Sequence, residues 1–394
     1  MGDEMVDRRR VLGGLGAVSA AGLLPGRAWA APPLPKSPVT LTVVDVAGNL
    51  ALTQKAIESY RKAKPNVVSR FVFTKAPAPE LPAKIKAQQD ADHMDIDLVL
   101  TGPDALSAGL DQGIWLDLAP YAADLPKPSD VYLPQALKMQ AIAADHGRVV
   151  SYYPSGPLLE YMPDRVKAMP KTAAELLDYT RQNKNKFIYA RPSNSGPGRT
   201  WLMGLPYILG DTDPRDPANG WSKTWDYLKA LGDNIEYYPA GTTQTMKELG
   251  EGTRDIIVST TGWDINPRVL GIVPKEAAVG ALQNFHWVTD AHYMVVPKGV
   301  SDDKLAVLID LMGFMLQPKQ QAYAYDQGYF YPGPAVKGVT LDMAPEDSQE
   351  AIRTFGRPDY DALIADHPLE VPLDAKSMVS AFTLWDQRIG AGKG

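Results

Sequence analysis

The sequence predicts an α/β fold made of two doubly wound lobes that are joined by crossover strands. Three observations support this prediction. Strands and helices alternate in the order β-α-β-α-β from Val39 onward, a second such cycle begins near Val149, and the chain returns to a further strand at Ala291. The chain has 394 residues, which is more than one ordinary hydrophobic core accommodates, so two domains are expected.

The first cycle is defined by the spacing of its apolar residues. They alternate with threonine over 39–46, which predicts a strand, and they recur at helical spacing over 50–64, where Pro65 ends the helix. A strand, a short helix and a third strand are expected in turn over 67–73, 81–89 and 95–100. Strands separated by helices in this way form a mostly parallel sheet with helices on both faces.

The second cycle and the return complete the two lobes. Strands are expected over 149–153, 186–190, 235–238 and 256–260, and helices over 200–209, 225–231 and 243–250. The return consists of a strand over 291–297 and helices over 304–316 and 318–325. We therefore assign residues 39–150 and 291–394 to the first lobe and residues 151–290 to the second. The C-terminal helices are expected to pack partly on the second lobe.

Two loops of the first cycle are candidates for ligand contact. Ligands of open α/β sheets bind outside the carboxyl ends of the strands, where the loops gather. Gly48 and Asn49 follow the first strand, and Gly102 and Asp104 follow the third. We expect these four residues to contact the ligand.

The most distinctive local motif is the loop 193–199, which is rich in serine and glycine and leads into a helix. Small residues let the backbone approach a ligand, and the start of a helix offers free N–H groups at the positive end of its dipole. Ser195 and Gly196 would hold an oxygen-rich ligand, and Arg199 would clamp a carboxylate. The motif matches neither nucleotide-binding fingerprint. The alternative is a tight connection in which Arg199 forms a structural ion pair.

Trp263 and Asp264 follow the strand expected over 256–260. An indole face can stack on a sugar or a cation, and a carboxylate can take an ammonium or a hydroxyl group. Their place at a strand end favours a ligand-binding role for both. The alternative is that Trp263 lies in the core and Asp264 caps a helix, which Pro267 would permit.

Two tyrosine pairs stand near expected crossovers and turns. Tyr152 and Tyr153 lie on the first crossover, and Tyr329 and Tyr331 lie beside C-terminal glycines. Because side chains alternate along a strand, one member of each pair is expected to face a cleft. We select Tyr153 and Tyr329 as ligand contacts, although aromatic pairs in strands more often pack in a core.

His286, Asp290 and His292 have even spacing, so in an extended segment they would share one face. Three such side chains could bind a divalent metal, but their steps of four and two residues match no standard ligand motif. The favoured interpretation places Asp290 and His292 in hydrogen bonds near a hinge, with Asp290 also contacting the ligand.

Signatures of catalysis are missing from the sequence. The chain has no Cys, and neither a G-x-S-x-G nucleophile elbow nor an H-E-x-x-H motif is present. This pattern favours a binding protein over an enzyme, with no catalytic residue and no cofactor expected.

The N-terminus has the order of features that is typical of a signal peptide. Arg8, Arg9 and Arg10 precede a 14-residue uncharged apolar run over 11–24, and Ala28-Trp29-Ala30 supplies an A-x-A cleavage site. The run is too short to span a bilayer as a helix, which takes about 20 residues. We therefore expect cleavage after Ala30 and a periplasmic protein. The arginines suggest twin-arginine export of folded protein, and Sec export is the alternative.

Composition narrows the class of partner. The formal net charge of the whole chain is −6, and removing the signal, which carries +1, leaves the mature protein near −7. A mildly acidic surface argues against nucleic acid as a partner. Because the chain has no Cys, it has neither disulfides nor an N-terminal lipid anchor on Cys, and we expect a freely soluble protein.

The order of these motifs resembles the extracellular solute-binding proteins of ABC importers, of the family 1 and spermidine/putrescine types. The resemblance covers nearly all of the mature chain. It is carried by the exported N-terminus and by a series of short segments, namely 41–49, 101–104, 110–118, 292–299, 316–322 and 328–329.

The resemblance implies a type II periplasmic-binding-protein fold, in which a small solute is trapped between two α/β lobes and the closed form docks on permease subunits of the inner membrane. It also implies a monomer. The ligand contacts that it implies are the strand-end residues already named, including Trp263, Asp264 and Asp290. The expected solute is a polyamine or an amino-acid-like cation or zwitterion. A sugar or sugar acid, a metal ion and an exported hydrolase are the alternatives.

Overall fold

The computed structural model describes residues 30–46, 48–77 and 80–393. The signal peptide expected over residues 1–30 lies, apart from its last residue, outside this range. Helices and strands alternate through the described chain, and the strands form two separate sheets. The α/β fold class expected from the sequence is therefore confirmed.

The bounds of the elements follow the chain. The strands are β1 Val39–Asp45, β2 Val68–Lys75, β3 Leu98–Thr101, β4 Gly147–Gly156, β5 Leu158–Tyr161, β6 Phe187–Ile188, β7 Ile256–Ser259, β8 Ala278–Gly280, β9 Trp287–Val295 and β10 Leu369–Glu370. The helices of the first half are α1 Leu50–Ala63, α2 Leu81–Asp90, α3 Pro103–Asp111, α4 Pro128–Val131, α5 Pro134–Ile142, α6 Ala173–Gln182 and α7 Gly196–Leu209. Those of the second half are α8 Ser222–Gly232, α9 Thr242–Glu251, α10 Thr261–Val269, α11 Asp302–Met315, α12 Pro318–Gln321, α13 Glu346–Phe355, α14 Tyr360–Asp366 and α15 Ala375–Trp385.

The first sheet contains β10, β9, β3, β1 and β2 in that order, and β4 also pairs with β9. Strands β3, β1 and β2 are parallel, as the first cycle of the sequence predicts, whereas β9 runs antiparallel to both β3 and β4. Apolar side chains of β1 and β3 are almost completely buried between layers of helices on the two faces. The parallel strands therefore end at one edge, where their loops can form a site.

The second sheet has the order β6-β7-β5-β8. Only β6 and β7 are parallel within it; β5 is antiparallel to both β7 and β8. The chain passes from the first sheet to the second between β4 and β5 and returns between β8 and β9. The long strands β4 and β9 of the first sheet thus lie next to both connections.

Helix α15 contacts elements of both sheets. It packs on α3, and its buried residues Met378, Ala381 and Trp385 belong to the apolar cluster that surrounds the second sheet. No helix in the described ranges combines the length and the apolar character that a membrane span requires.

The strand expected over 235–238 is absent, and this prediction is wrong. The segment has irregular backbone, and Tyr238 packs at 5.0 Å from the ring of Tyr189 and at 4.9 Å from that of Trp385. Its apolar residues are thus buried by an aromatic cluster and form no ladder with a neighbouring strand. Apolar spacing reports burial, and burial alone does not distinguish a strand from an irregular segment.

Candidate ligand-binding site

A cavity of about 280 Å³ lies between loops of the first sheet and helices that flank the second. Most of the residues selected from the sequence line it, namely Gly102, Asp104, Tyr153, Ser195, Gly196, Arg199, Trp263, Asp290 and Tyr329. Residues from distant parts of the chain meet there because strand ends of the first sheet face the starts of α7, α9 and α10. The volume is at the small end of the range for ligand pockets, which indicates a small solute.

The loop before α7 is held in place by its own capping interactions. Ser195 is the N-cap of α7, and its Oγ accepts a hydrogen bond from the Gly198 N–H at 3.1 Å. A Cβ on Gly198 would lie 2.2 Å from the carbonyl oxygen of Ala190, so only glycine fits at this position. The loop therefore presents Ser195, Gly196 and Arg199 to the cavity in a defined conformation.

Arg199 and Asp290 form a buried ion pair at the cavity wall. The Arg199 guanidinium contacts Asp290 Oδ2, and the side chains are 9% and 2% exposed. Tyr153 on β4 is the cross-strand neighbour of Asp290 on β9, and its hydroxyl donates a hydrogen bond to the same oxygen at 2.8 Å. Burial alone would lower the pKa of Arg199, but the carboxylates of Asp290 and Asp104 outweigh it and raise that pKa. Burial and Asp290 together raise the pKa of Tyr153 well above its usual value.

Asp104 is the less satisfied carboxylate of the cavity. Its Oδ1 accepts a hydrogen bond from the Ala105 N–H at 2.9 Å, whereas its Oδ2 lies at a long 3.4 Å from Arg199 Nη1. The side chain is 21% exposed. A donor on a ligand can therefore reach Oδ2 at a shorter distance than Arg199 does.

His292 lies in the cavity wall as a neutral imidazole. Burial lowers its pKa to about 4, although Asp45 opposes this effect. Its ring is edge-on to Phe330, with centroids 4.5 Å apart, and its Nδ1 has no hydrogen-bond partner among the described residues. Because His292 carries no charge at neutral pH, the charged groups of the described lining are the carboxylates of Asp104 and Asp290 and one guanidinium. The lining therefore has a net charge of about −1 at neutral pH.

Aromatic rings form the rest of one wall. Trp263 and Tyr329 meet edge-on with centroids 5.6 Å apart, and Phe330 lies 4.4 Å from Tyr329 and 4.6 Å from Tyr153. Burial, with smaller contributions from nearby carboxylates, raises the pKa of Tyr329 to about 12, so its hydroxyl stays protonated. A wall of this kind offers its ring faces and edges to an apolar or cationic group.

Several lining residues were not selected from the sequence: Val46, Asn194, Gly241, Thr242, Thr243, His292 and Phe330. The rule that ligands bind after strand ends would also select Gly241–Thr243, which follow the strand expected over 235–238. Phe330 has no such signal. Alternation along a strand would turn it away from the cleft, but residues around it form turns, so Tyr329 and Phe330 both face the cavity.

Three residues selected from the sequence lie outside the cavity lining. Asn49, the last residue of the loop between β1 and α1, is completely buried, and its backbone N–H donates to Asp45 Oδ1 at 2.9 Å. Gly48 has a positive φ of 73°, and a Cβ there would lie 2.5 Å from the Tyr329 hydroxyl. Its role is to leave room for Tyr329. The burial of Asn49 corrects the expectation that this residue contacts the ligand. Gly48 does not line the cavity, and its contact with the ligand stays a prediction.

Asp264 is the third of these residues. Its side chain is 0% exposed, and its oxygens accept hydrogen bonds from Arg268, Arg357 and Tyr360. Trp263 and Asp264 are adjacent on α10, so they point to different sides of the helix and only Trp263 reaches the cavity. The expected ligand contact by Asp264 is thus replaced by a structural role. Thr260, whose Oγ1 lies 3.4 Å from the Trp263 N–H, is the N-cap.

His286, Asp290 and His292 do not form a metal site. His286 Nδ1 lies 2.9 Å from Glu370 Oε1, and its ring stacks on Tyr207 with centroids 4.7 Å apart. His292 and Asp290 lie instead at the cavity. The described residues contain no group of three His, Cys, Asp or Glu side chains that could hold a metal ion.

The buried carboxyl group of Glu160 leads to a prediction about stability. Burial, and then the charge of Asp264, raises the pKa of Glu160 well above its usual value. Glu160 therefore keeps its proton in the folded protein at pH values where the unfolded chain releases it, and this costs stability as the pH rises above about 4.5. Glu160→Gln removes the cost. We expect the melting temperature of this variant to gain on the wild type between about pH 4 and pH 7.

Glu276→Gln, at an exposed position, is the matched control for loss of a glutamate charge. It should change the melting temperature little at either pH. A Glu160→Gln variant whose advantage does not grow with pH would show that Glu160 is ionised in the folded protein.

Residues 55–353 match the family model described as bacterial extracellular solute-binding protein. Curated protein sequences gave no match. Among solved structures, the substrate-binding protein PotD of the spermidine/putrescine ABC transporter from Streptococcus pneumoniae aligns with a TM-score of 0.62 at 15% identity, covering 89% of this chain and 98% of that one.

Two further structures show how varied the similar proteins are. The periplasmic binding protein AfuA from Actinobacillus pleuropneumoniae, with fructose-6-phosphate bound, aligns with a TM-score of 0.64 at 15% identity, covering 90% of this chain and 99% of that one. Apo ferric ion-binding protein A from Pasteurella haemolytica aligns with a TM-score of 0.57 at 14% identity, covering 89% and 97%. Such identities show a shared fold alone, and the ligands that these names give differ from one another.

Proposed function

The chain belongs to the bacterial extracellular solute-binding proteins, and from this membership we propose that it is the exported receptor of an ABC importer. In this proposal it captures a small solute that carries a protonated amine. The closed form then delivers the solute to permease subunits in the inner membrane. The solute is bound and released unchanged, and no cofactor takes part.

The charge balance of the cavity is the observation that carries the choice of an amine. Arg199 is engaged by Asp290, and the second carboxylate, Asp104, keeps an oxygen that a ligand can approach. His292 adds no positive charge. A cation therefore compensates the remaining negative charge, whereas an anion would enter a site whose only guanidinium in the described lining is already paired.

The aromatic wall supports the same class of solute. Trp263, Tyr329 and Phe330 offer a surface that attracts an ammonium group through ring quadrupoles and buries the methylene groups beside it. At a volume of about 280 Å³, the cavity suits a short polyamine or an amino-acid-like molecule. A neutral sugar would bring no positive charge to Asp104, whose contact with Arg199 is long at 3.4 Å.

The start of α9 favours a zwitterion as the second candidate within this class. Its N-cap, Gly241, provides no side-chain hydrogen bond, and Thr242 and Thr243 line the cavity. Free N–H groups at a helix start are suited to a carboxylate. An amino acid-like solute would satisfy both this end and Asp104, and a diamine would satisfy Asp104 alone.

Closure of two lobes is part of the proposal. Arg199 on α7 and Asp104 on α3 make a long contact in the cavity wall. The contact joins the second lobe, expected over 151–290, to the first lobe, expected over 39–150 and 291–394. A solute that inserts between these side chains would bridge both lobes and stabilise the closed state. The receptor acts as a monomer in this scheme.

Export with removal of the first 30 residues is also proposed. The backbone nitrogen of Ala31 lies 2.7 Å from Asp124 Oδ2. Cleavage after Ala30 would turn this nitrogen into an ammonium group, so the mature N-terminus would gain an ion pair. N-terminal sequencing of the periplasmic protein should begin at Ala31, and a strain defective in twin-arginine export would distinguish that route from Sec.

A thermal-shift screen followed by calorimetric titration tests the solute class. The panel contains putrescine, spermidine, 4-aminobutanoate, glucose, gluconate and ferric citrate. We expect one or more of the amines to bind one molecule per chain and to raise the melting temperature, since a ligand at 100 times its Kd stabilises by about 2.7 kcal/mol. Mass spectrometry should recover the solute unchanged. Stabilisation by the sugars or iron alone, or turnover of the solute, would contradict the proposal.

A further inference from the structure

One buried carboxylate ties helix α10 to the C-terminal helices. Asp264 accepts two hydrogen bonds from Arg268, both at 3.0 Å, and two from Arg357, at 3.0 and 2.6 Å. The hydroxyl of Tyr360 donates a fifth at 2.6 Å. Arg357 lies between α13 and α14, and Tyr360 is the first residue of α14. We call this group, with Asp264 at its centre, the Asp264 clamp.

The clamp acts on the same turn of α10 that carries a wall of the cavity. Trp263 precedes Asp264 and is half-buried between the cavity and the core. The same turn is also in direct contact with the segment over 329–331. A Cβ on Gly262 would lie 2.0 Å from the Tyr329 carbonyl oxygen, and Thr261 Oγ1 donates to the Tyr331 carbonyl at 2.7 Å. Any shift of the first turn of α10 therefore moves Trp263 relative to Tyr329.

We infer that Asp264 is a positioning residue for the solute site: it sets the place of Trp263 against Tyr329 and makes the C-terminal segment over 346–366 part of the binding apparatus. Asp264 touches no part of the cavity itself. The inference depends on the proposed function only where solute affinity is measured.

The charge of Asp264 holds the two arginines of the clamp together. Arg268 and Arg357 are 5% and 22% exposed, and both bring their charge to the same carboxylate. Arg268 is also fastened to the end of α13 by a 2.6 Å hydrogen bond to the carbonyl of Phe355. Without the charge of Asp264, the two neighbouring guanidinium groups lose the carboxylate that they share and to which both are hydrogen-bonded, so we expect them to separate and α10 to shift. Asparagine keeps the shape of Asp264 but removes that charge.

The first test needs no solute. Protein labelled with 5-fluorotryptophan gives one ¹⁹F resonance for each indole, and Trp263→Phe identifies that of Trp263. We expect Asp264→Asn to shift or broaden the Trp263 resonance and to leave that of Trp115, which is buried in an apolar cluster beside the first sheet, in place. Tyr360→Phe removes one hydrogen bond while its ring still packs near Tyr331, so it should give a smaller change of the same kind and serves where Asp264→Asn does not fold.

Asp97→Asn is the matched control. The Asp97 side chain is 1% exposed and pairs with Lys304 at 2.8 Å, on the first sheet and away from the cavity. This variant should lose stability, as any broken buried pair does, and should leave the Trp263 resonance unchanged. An unchanged Trp263 resonance in folded Asp264→Asn and in Tyr360→Phe would overturn the inference.

The second test measures affinity for the amine that the screen identifies, with putrescine as the first probe. Asp264→Asn should weaken binding at least about tenfold in the wild type and by less than about threefold in a Trp263→Ala background, where the side chain being positioned is missing. An equal loss in both backgrounds would contradict a role through Trp263. If no amine binds the wild type, the proposed solute class fails, and the ¹⁹F result still decides the role of the clamp.

Discussion

Replacing Arg199 with methionine is expected to lower the free energy of unfolding by about 3–5 kcal/mol. Methionine keeps much of the side-chain volume, so the change tests the charge. Asp290, which is 2% exposed, would be left in the protein interior with only Tyr153 and a backbone N–H as donors in the described structure. An ionised carboxylate without a cationic partner is strongly disfavoured there. Urea unfolding at neutral pH measures the loss.

Two further variants separate the buried pair from a general effect of losing an arginine. Arg181→Met removes an exposed arginine whose partner Asp178 is three residues away on the same helix, and it should change stability by less than about 0.5 kcal/mol. The double variant Arg199→Met/Asp290→Asn should recover part of the loss, because neither charge is left unpaired. Equal losses for Arg199→Met and Arg181→Met would show that the ion pair contributes nothing to stability.

The second large effect is expected on binding. Asp104→Asn should weaken the affinity for the amine about 100-fold, which corresponds to about 2.7 kcal/mol. One carboxylate oxygen of Asp104, Oδ2, is within reach of a ligand donor. In the proposed complex the ammonium group of the solute donates a hydrogen bond to this oxygen. Asparagine has nearly the same shape, so the variant removes the charge while the walls of the cavity stay in place. Isothermal titration at about 0.15 M salt measures the change.

Asp111→Asn is the control for long-range electrostatics. Asp111 ends the same helix, α3, is exposed and does not line the cavity. Its replacement changes the net charge of the protein equally and should alter the affinity less than about twofold, because exposed charges are screened over a Debye length of about 8 Å. If Asp104→Asn binds the amine as tightly as the wild type, the cation is held elsewhere and our assignment of Asp104 is wrong.

The loop 193–199 shows which parts of the site can be predicted from local sequence. Its small residues and the helix behind it were sufficient to select Ser195, Gly196 and Arg199, because each signal is local and all three line the cavity. The sequence allows two interpretations of Arg199: it clamps a ligand carboxylate, or it forms a structural ion pair. The structure supports the ion pair and also leaves Arg199 in the cavity wall.

Partners distant in sequence could not be predicted in this way. Arg199 and Asp290 are 91 positions apart, and Asp264 and Tyr360 are 96 apart. The sequence around each of these residues is equally compatible with an exposed side chain or with a helix cap. Only the packing of α7 against β9, and of α14 against α10, brings the partners within hydrogen-bond distance.

The alternating α/β order and the type of most elements follow from the residues alone, since apolar spacing and helix-ending residues act over a few positions; the segment 235–238, which is buried but irregular, is an exception. The folded chain was needed to choose between Trp263 and Asp264, and to show that Asn49 is buried beneath the site. Neighbours on a helix point in directions about 100° apart, so a ligand-binding residue and a buried anchor can be adjacent in sequence. Which of them faces the solute depends on what packs behind the helix.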